Sequence, residues 1–160
     1  MDLVVFRHGI AKDRGERMDD AERPLTREGV EKTGEAAKGL LKLIDPPEVV
    51  LTSPKLRARQ TAELLCGLLG EAPELFAPLA GHDLAAMIEA IGRREEGSMV
   101  VVGHEPDLSA LVEVLIGGES AGRVQLKKAG AARVAIEGKA GPRRGTLKWL
   151  ATAKMLRKLG

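Results

Sequence analysis

Residues Leu3-Val4-Val5-Phe6 form an unbroken apolar run that stops at Arg7-His8-Gly9. Such a run, rich in β-branched and aromatic side chains, reads as a strand buried on both faces. The same grammar recurs twice. Val49-Val50-Leu51 stops at Thr52-Ser53, and Met99 to Val102 stops at Gly103-His104. Helical patterns fill the intervals. Thr26 is the expected cap of a helix from about Arg27, with Val30, Ala37, Leu40, Leu41 and Ile44 at helical spacing and Pro46-Pro47 beyond it. Ser53-Pro54 reads as a cap followed by proline at the first helical position, opening a helix to about Leu69. Asp83 is the expected cap of a helix carrying Leu84, Met87, Ile88 and Ile91. A further helix carries Leu108, Leu111, Val112 and Leu115 and is stopped by Gly117-Gly118.

Strands alternating with helices predict a three-layer α/β fold, a mostly parallel central sheet with helices on both faces. Beyond residue 118, Val124-Gln125-Leu126 and Arg133 to Ile136 are expected to form a hairpin at an antiparallel edge. Leu147 to Leu150 then reads as a last strand before a short basic helix. Residues 9 to 26 form a long, highly charged loop, and loops of that length are usually functional.

The 160 residues imply one domain, 1–160, with enough chain to bury a core. Its single cysteine, Cys66, admits no internal disulfide and reads as a small core hydrophobe in mid-helix. No basic segment followed by an apolar run marks a signal peptide, and no apolar stretch reaches membrane-spanning length. A cytoplasmic location without membrane attachment is the expectation. Phe6, Phe76 and Trp149 are the only aromatics, too few for a base-stacking platform, so no nucleic-acid partner is expected.

The chemistry collects at the strand ends. In open α/β sheets, ligands bind beyond the carboxyl ends of the strands. Arg7, His8, Ser53, Arg57 and His104 should therefore converge, and the helices beginning near Ser53 and Glu105-Pro106 should aim their positive ends there. Two Arg forks and helix termini suit a phosphate or sulfate anion, and most simply a phosphoryl group. A neutral imidazole can attack phosphorus, and neighbouring Arg cations disfavour its protonation. A second His can donate to the non-bridging oxygens. The scheme calls for no cofactor and no metal, and the two Arg would repel a divalent cation.

These residues carry a family resemblance. Phe6-Arg7-His8-Gly9 resembles the Arg-His-Gly signature of the histidine phosphatase superfamily, the phosphoglycerate mutase-like fold. Arg23-Pro24-Leu25-Thr26-Arg27-Glu28-Gly29 is similar to its following Leu-Thr-x-x-Gly segment. Thr52-Ser53-Pro54-Lys55-Leu56-Arg57-Ala58-Arg59-Gln60-Thr61-Ala62 resembles its Ser-Pro-x-x-Arg-Ala-x-Gln-Thr-Ala motif, and Val102-Gly103-His104-Glu105-Pro106 its Gly-His-x-Pro motif. Length and motif variants most resemble the SixA-type phosphohistidine phosphatases. The resemblance implies that His8 is the nucleophile and is transiently phosphorylated. It implies a phosphate pocket of Arg7, Arg57 and His104, with Ser53 and Gly9 as further substrate-binding residues.

Two departures bear on substrate. SixA-type members commonly carry an acid after Arg-His-Gly, where this chain has Ile10. No residue matches the Glu general acid of the mutase-type branch; Asp83, His82, Glu105 or water are the candidates. An ester leaves as a poor alkoxide and gains about 10²–10⁴-fold from general-acid help. A phosphohistidine leaves as an imidazole that solvent protonates. The expected substrate is therefore a phosphohistidine-bearing protein. The alternatives are a small phosphate monoester or a non-catalytic phosphate-binding module.

The formal net charge of +2 hides an asymmetry. Residues 121–160 hold eleven basic residues against Glu137 alone, +10, which leaves −8 for the rest. A solvated basic face is the simple reading. A docking surface for an acidic phosphoprotein is the sharper one.

Overall fold

The computed structural model describes residues 1–160. A six-stranded sheet is built from β1 (Asp2–Arg7), β2 (Val49–Thr52), β3 (Glu74–Leu75), β4 (Ser98–Gly103), β5 (Ala131–Ile136) and β6 (Gly145–Ala151). Their spatial order is β3-β2-β4-β1-β5-β6. Strands β1 to β4 run parallel, whereas β5 is antiparallel to both β1 and β6. Five helices cover the sheet: α1 (Arg27–Leu40), α2 (Leu56–Leu69), α3 (Leu84–Gly92), α4 (Asp107–Gly117) and α5 (Ala153–Arg157).

Side chains alternate across a strand, so each apolar run feeds two cores. Leu3, Val5, Leu51, Met99 and Val101 pack against Met87 and Ile91 of α3 and Leu108, Leu111 and Leu115 of α4. Val4, Phe6, Val50, Val100 and Val102 pack against Ala37 and Leu40 of α1, Ala62 and Leu65 of α2, and Leu156 of α5. Two-sided burial is why these strands read as continuous rather than alternating apolar runs. Cys66 lies in the second core, and burial, with Glu71 and Glu63 nearby, raises its thiol pKa to about 11.

Several helix ends agree with their sequence signals. Thr26 accepts the Gly29 amide to cap α1, and Asp83 accepts the Ala86 amide to cap α3. Gly118, at φ 88°, closes α4 in a left-handed conformation that suits glycine. Val30 of α1 is 41% exposed, and the buried stripe runs instead through Gly29, Thr33, Ala36, Ala37 and Leu40.

Two expectations are corrected, and one strand had no counterpart in the sequence reading. Val124-Gln125-Leu126 is not a strand; the hairpin is β5 with β6. The amides of the 121–126 segment have other partners. Those of Ala121, Gly122, Arg123 and Val124 donate to the Glu113 carboxylate, and that of Leu126 donates to Ser109 Oγ. Strand β3 has two exposed residues, too short for a periodic signal. The 9–26 loop is partly structured. Ala11 bridges Leu25 in an antiparallel pair, and Asp20–Glu22 forms a 3-10 turn.

Candidate active site

Register brings the three motifs together. Arg7 lies opposite Gly103 across β1 and β4, and Thr52 opposite Val102 across β2 and β4. The residues that follow these strands, His8, Ser53 and His104, therefore leave the sheet at one edge. Backbone bonds tie the exits together: His8 donates to the Gly103 carbonyl at 3.1 Å and Ser53 to that of Val102 at 2.9 Å. Arg57 arrives on the first turn of α2.

His8 is 7% exposed. Its Nδ1 lies 2.7 Å from the Gly9 carbonyl, which can only accept, so Nδ1 carries the proton. Its Nε2 receives the Arg57 Nε–H at 3.3 Å, as a lone pair should. The two bonds assign one tautomer, with the bare lone pair on Nε2. Burial, opposed by the Gly9 bond, lowers the His8 pKa from 6.5 to about 4; the charges of Arg57, Arg7 and Lys128 act in the same direction. The ring is neutral at pH 7.

His104 is 4% exposed, its ring centroid 5.2 Å from that of His8. Burial lowers its pKa to about 3, helped by His8, Arg57 and Lys55 and opposed by Asp20. Its Nε2 lies 2.8 Å from Ser53 Oγ, and its Nδ1 is buried without a partner. Arg7 donates through Nη1 to the Leu126 carbonyl at 2.8 Å, and its buried Nε also has no partner. Orphaned buried polar atoms are rare, and two at one site point to a ligand that satisfies them. An oxyanion could accept from both: from the Arg7 Nε–H, and from His104 in the tautomer that protonates Nδ1.

Two of the expected contacts have different roles. Ser53 does not cap α2, which begins at Leu56 after Lys55. Its hydroxyl accepts the Lys55 amide at 3.3 Å and faces His104, so it acts on the pocket through that ring. Gly9 does not offer its amide to a phosphate. That N–H donates to Thr61 Oγ1 at 3.1 Å, and Thr61 in turn donates to the Arg57 carbonyl at 2.8 Å. Glycine is required there because a Cβ would stand 2.0 Å from Thr33 Oγ1.

Each side chain among the general-acid candidates has a partner of its own. The Glu105 carboxylate accepts the Ser109 amide and hydroxyl at 3.0 and 2.5 Å, closing the first turn of α4. Asp83 is engaged as the α3 cap. His82, at φ 53°, pairs through Nδ1 with Asp107 Oδ2 at 2.8 Å and is exposed.

One residue at the site carries no sequence signal. Asp20 sits among Asp19, Ala21 and Glu22 in the charged loop, where nothing in type or spacing distinguishes it. Its carbonyl accepts Arg57 Nη1 at 2.7 Å, and its Oδ2 accepts Arg57 Nη2 at 3.2 Å. Lys55 Nζ stands 3.5 Å from the same Oδ2, and Arg23 Nε 3.0 Å from Oδ1. Burial favours the neutral acid, but the bond from Arg23 and the charge and bond of Arg57 outweigh it and hold the carboxyl at about 2. Asp20 therefore occupies both outer nitrogens of Arg57.

Comparison with known proteins places this arrangement. The profile of the histidine phosphatase superfamily (branch 1) matches residues 3–84, which carry His8, Arg7, Ser53 and Arg57. This chain belongs to that superfamily. An uncharacterised protein of Picosynechococcus sp. is 43% identical over 135 residues, 81% of this chain and 82% of the relative. The protein histidine phosphatase SixA, solved with tungstate, superposes with a TM-score of 0.81 at 28% identity, covering 96% of this chain and 98% of its own. Two more distant superfamily folds match at 16% and 18% identity: a phosphoserine phosphatase of Entamoeba histolytica bound to 3-phosphoglyceric acid (TM-score 0.68, 97% and 98% covered) and the alpha-ribazole phosphatase of Shigella flexneri (0.70, 96% and 97%). The superfamily and its phosphatase neighbours support a phosphatase. No helix of the superfamily domain described here is long and apolar enough to cross a membrane.

Proposed function

We propose that this phosphatase removes the phosphoryl group from a phosphohistidine on a protein, through a phospho-His8 intermediate. The observation that carries the reading is the locked, neutral His8, its Nε2 lone pair held beside Arg57 while Nδ1–H is tied to Gly9. In the first step Nε2 attacks phosphorus and the substrate P–N bond breaks. The leaving imidazole keeps that electron pair and takes a proton from solvent. Arg7, Arg57 and His104 stabilise the charge on the phosphoryl oxygens. In the second step water attacks phosphorus, the P–Nε2 bond breaks, and phosphate leaves with His8 neutral again.

The surrounding carboxylates favour a nitrogen leaving group over an alkoxide. Glu105 and Asp83 are engaged at helix starts, and Asp20, held at about 2, has no proton to give at pH 7. The tungstate bound by the 28%-identical SixA is itself a tetrahedral oxyanion, in keeping with a phosphoryl pocket. Fold alone does not choose between substrates, because the same fold serves ester phosphatases.

Labelled phosphohistidine peptide, mixed rapidly with enzyme and quenched in alkali, should leave label on His8 that a chase removes. The His8→Ala variant should carry none. Faster turnover of sugar or aryl phosphates than of the peptide would transfer the reading to a small-ester phosphatase. Binding of phosphate without any label on His8 or release would leave only a phosphate-binding module.

A further inference from the structure

The basic C-terminal quarter divides in two along the sheet. Strand β5 begins at the active-site end, where Ala131 lies opposite Phe6, and finishes at the far end, where Asp2 faces Ala135. The β5–β6 turn, with Lys139, Arg143 and Arg144, thus stands at the end of the sheet opposite His8. The turn that leads into β5 is at the site itself. There Gly130 N donates to the Lys127 carbonyl at 2.8 Å, and Ala129 is held at φ 54°.

Three bonds join this turn to the catalytic strand. The Ala129 amide donates to the His8 carbonyl at 3.1 Å, the Arg7 amide to the Gly130 carbonyl at 2.9 Å, and Arg7 Nη1 to the Leu126 carbonyl at 2.8 Å. Ala129 is buried at 3% exposure, whereas Lys127 and Lys128 are exposed and form no ion pair. A left-handed alanine is strained, and such strain persists only where surrounding contacts enforce it. Here the enforced geometry holds two free lysines on a turn whose backbone is bonded to that of His8. Lys128 is close enough to act on the His8 charge.

We infer that Lys127 and Lys128 form a docking rim that selects phosphohistidine substrates carrying acidic residues beside the phosphorylated histidine. The inference rests on the phosphatase reading above. Its physical basis is contrast. Residues 1–120 carry −8, and of the two basic clusters only the one at the site end can draw an acidic segment toward His8. The phosphoryl pocket is already supplied by Arg7 and Arg57, which leaves the rim lysines to read the flanking carboxylates.

The test compares two peptides, one with acidic and one with neutral residues flanking phosphohistidine, together with phosphoimidazole. Reversal of both lysines (Lys127→Glu with Lys128→Glu) should lower kcat/KM on the acidic peptide about tenfold at low salt, and lower it less on the neutral peptide and on phosphoimidazole. Raising the salt to about 0.5 M should narrow the gap, since screening shortens the reach of exposed charges. Lys139→Glu with Arg144→Glu changes net charge equally at the far end and should not discriminate between the peptides. Equal losses on both peptides, or equal effects of the two double variants, would overturn the docking rim while leaving the phosphatase reading intact. Absence of turnover on every phosphoramidate by the unmodified enzyme would overturn both.

Discussion

Titration of His8 offers the sharpest check on the site. An ordinary imidazole has a pKa of 6.5, whereas burial and the surrounding cations bring His8 to about 4. At pH 5.5 the ring should then be about 97% neutral, against about 9% for an unperturbed histidine. The shift also couples to stability. Between pH 6.5 and 4 the unfolded chain binds a proton that folded His8 refuses. Stability from this group is therefore full above 6.5 and falls as the pH drops toward about 4, by about 3 kcal/mol in all. His104, brought to about 3, acts in the same direction. Long-range nitrogen–proton NMR correlations read the two ring nitrogens separately. They should show a proton on Nδ1, a bare Nε2, and no titration of His8 down to pH 5. Urea unfolding at pH 7.5, 5.5 and 4.5 should show the matching loss. A His8 midpoint near 6.5, or a proton on Nε2 at pH 7, would refute the assignment of the nucleophile.

Three further outcomes follow from single contacts. Gly9→Ala places a Cβ 2.0 Å from Thr33 Oγ1 and should destabilise the fold by about 1–3 kcal/mol in denaturant titration, with activity also reduced because Gly9 holds the His8 ring; a neutral result would show that Thr33 yields freely. Asp20→Ala releases the outer nitrogens of Arg57 and should tighten competitive inhibition by inorganic phosphate about three- to tenfold, since charged hydrogen bonds are the strong ones. Weaker inhibition would mean that the carboxylate holds Arg57 in place rather than competing for it. Ser53→Ala removes the fully buried partner of His104 Nε2 and should lower turnover about tenfold with the fold retained by circular dichroism; unchanged turnover would show that His104 stands without it.

The sheet was legible because its central strands are buried on both faces. Leu3 to Phe6 and Met99 to Val102 need apolar side chains at every position, and that requirement is written in four consecutive letters. The motif histidines and arginines were legible because each ends or directly follows such a strand or lies in the first turn of the next helix. In the C-terminal quarter β5, β6 and α5 fall where Arg133 to Ile136, Leu147 to Leu150 and a short basic helix were expected, but the segment before them was not legible. Val124 to Leu126 has strand-like side chains, yet its neighbouring amides are engaged by Glu113, whose pKa of about 2 reflects the bond from Val124 first, burial working against it, and then Ser120, Gly122 and Arg123. A carboxylate eleven residues from Val124 leaves no local trace of that engagement.

Composition and order alone thus determine an α/β sheet whose polar strand ends gather at one edge, because apolar runs and their polar stops are local properties. Tertiary structure decided the rest. The tautomer of His8 depends on the Gly9 carbonyl and on Arg57, which stands 49 residues away. The engagement of Arg57 by Asp20 spans 37 residues, and the Lys127–Lys128 turn reaches His8 only because β5 pairs with β1. Net charge is a sum over the chain and carries no positions. Only the folded sheet separates basic residues near His8 from those at its far end, since β5 runs the length between them.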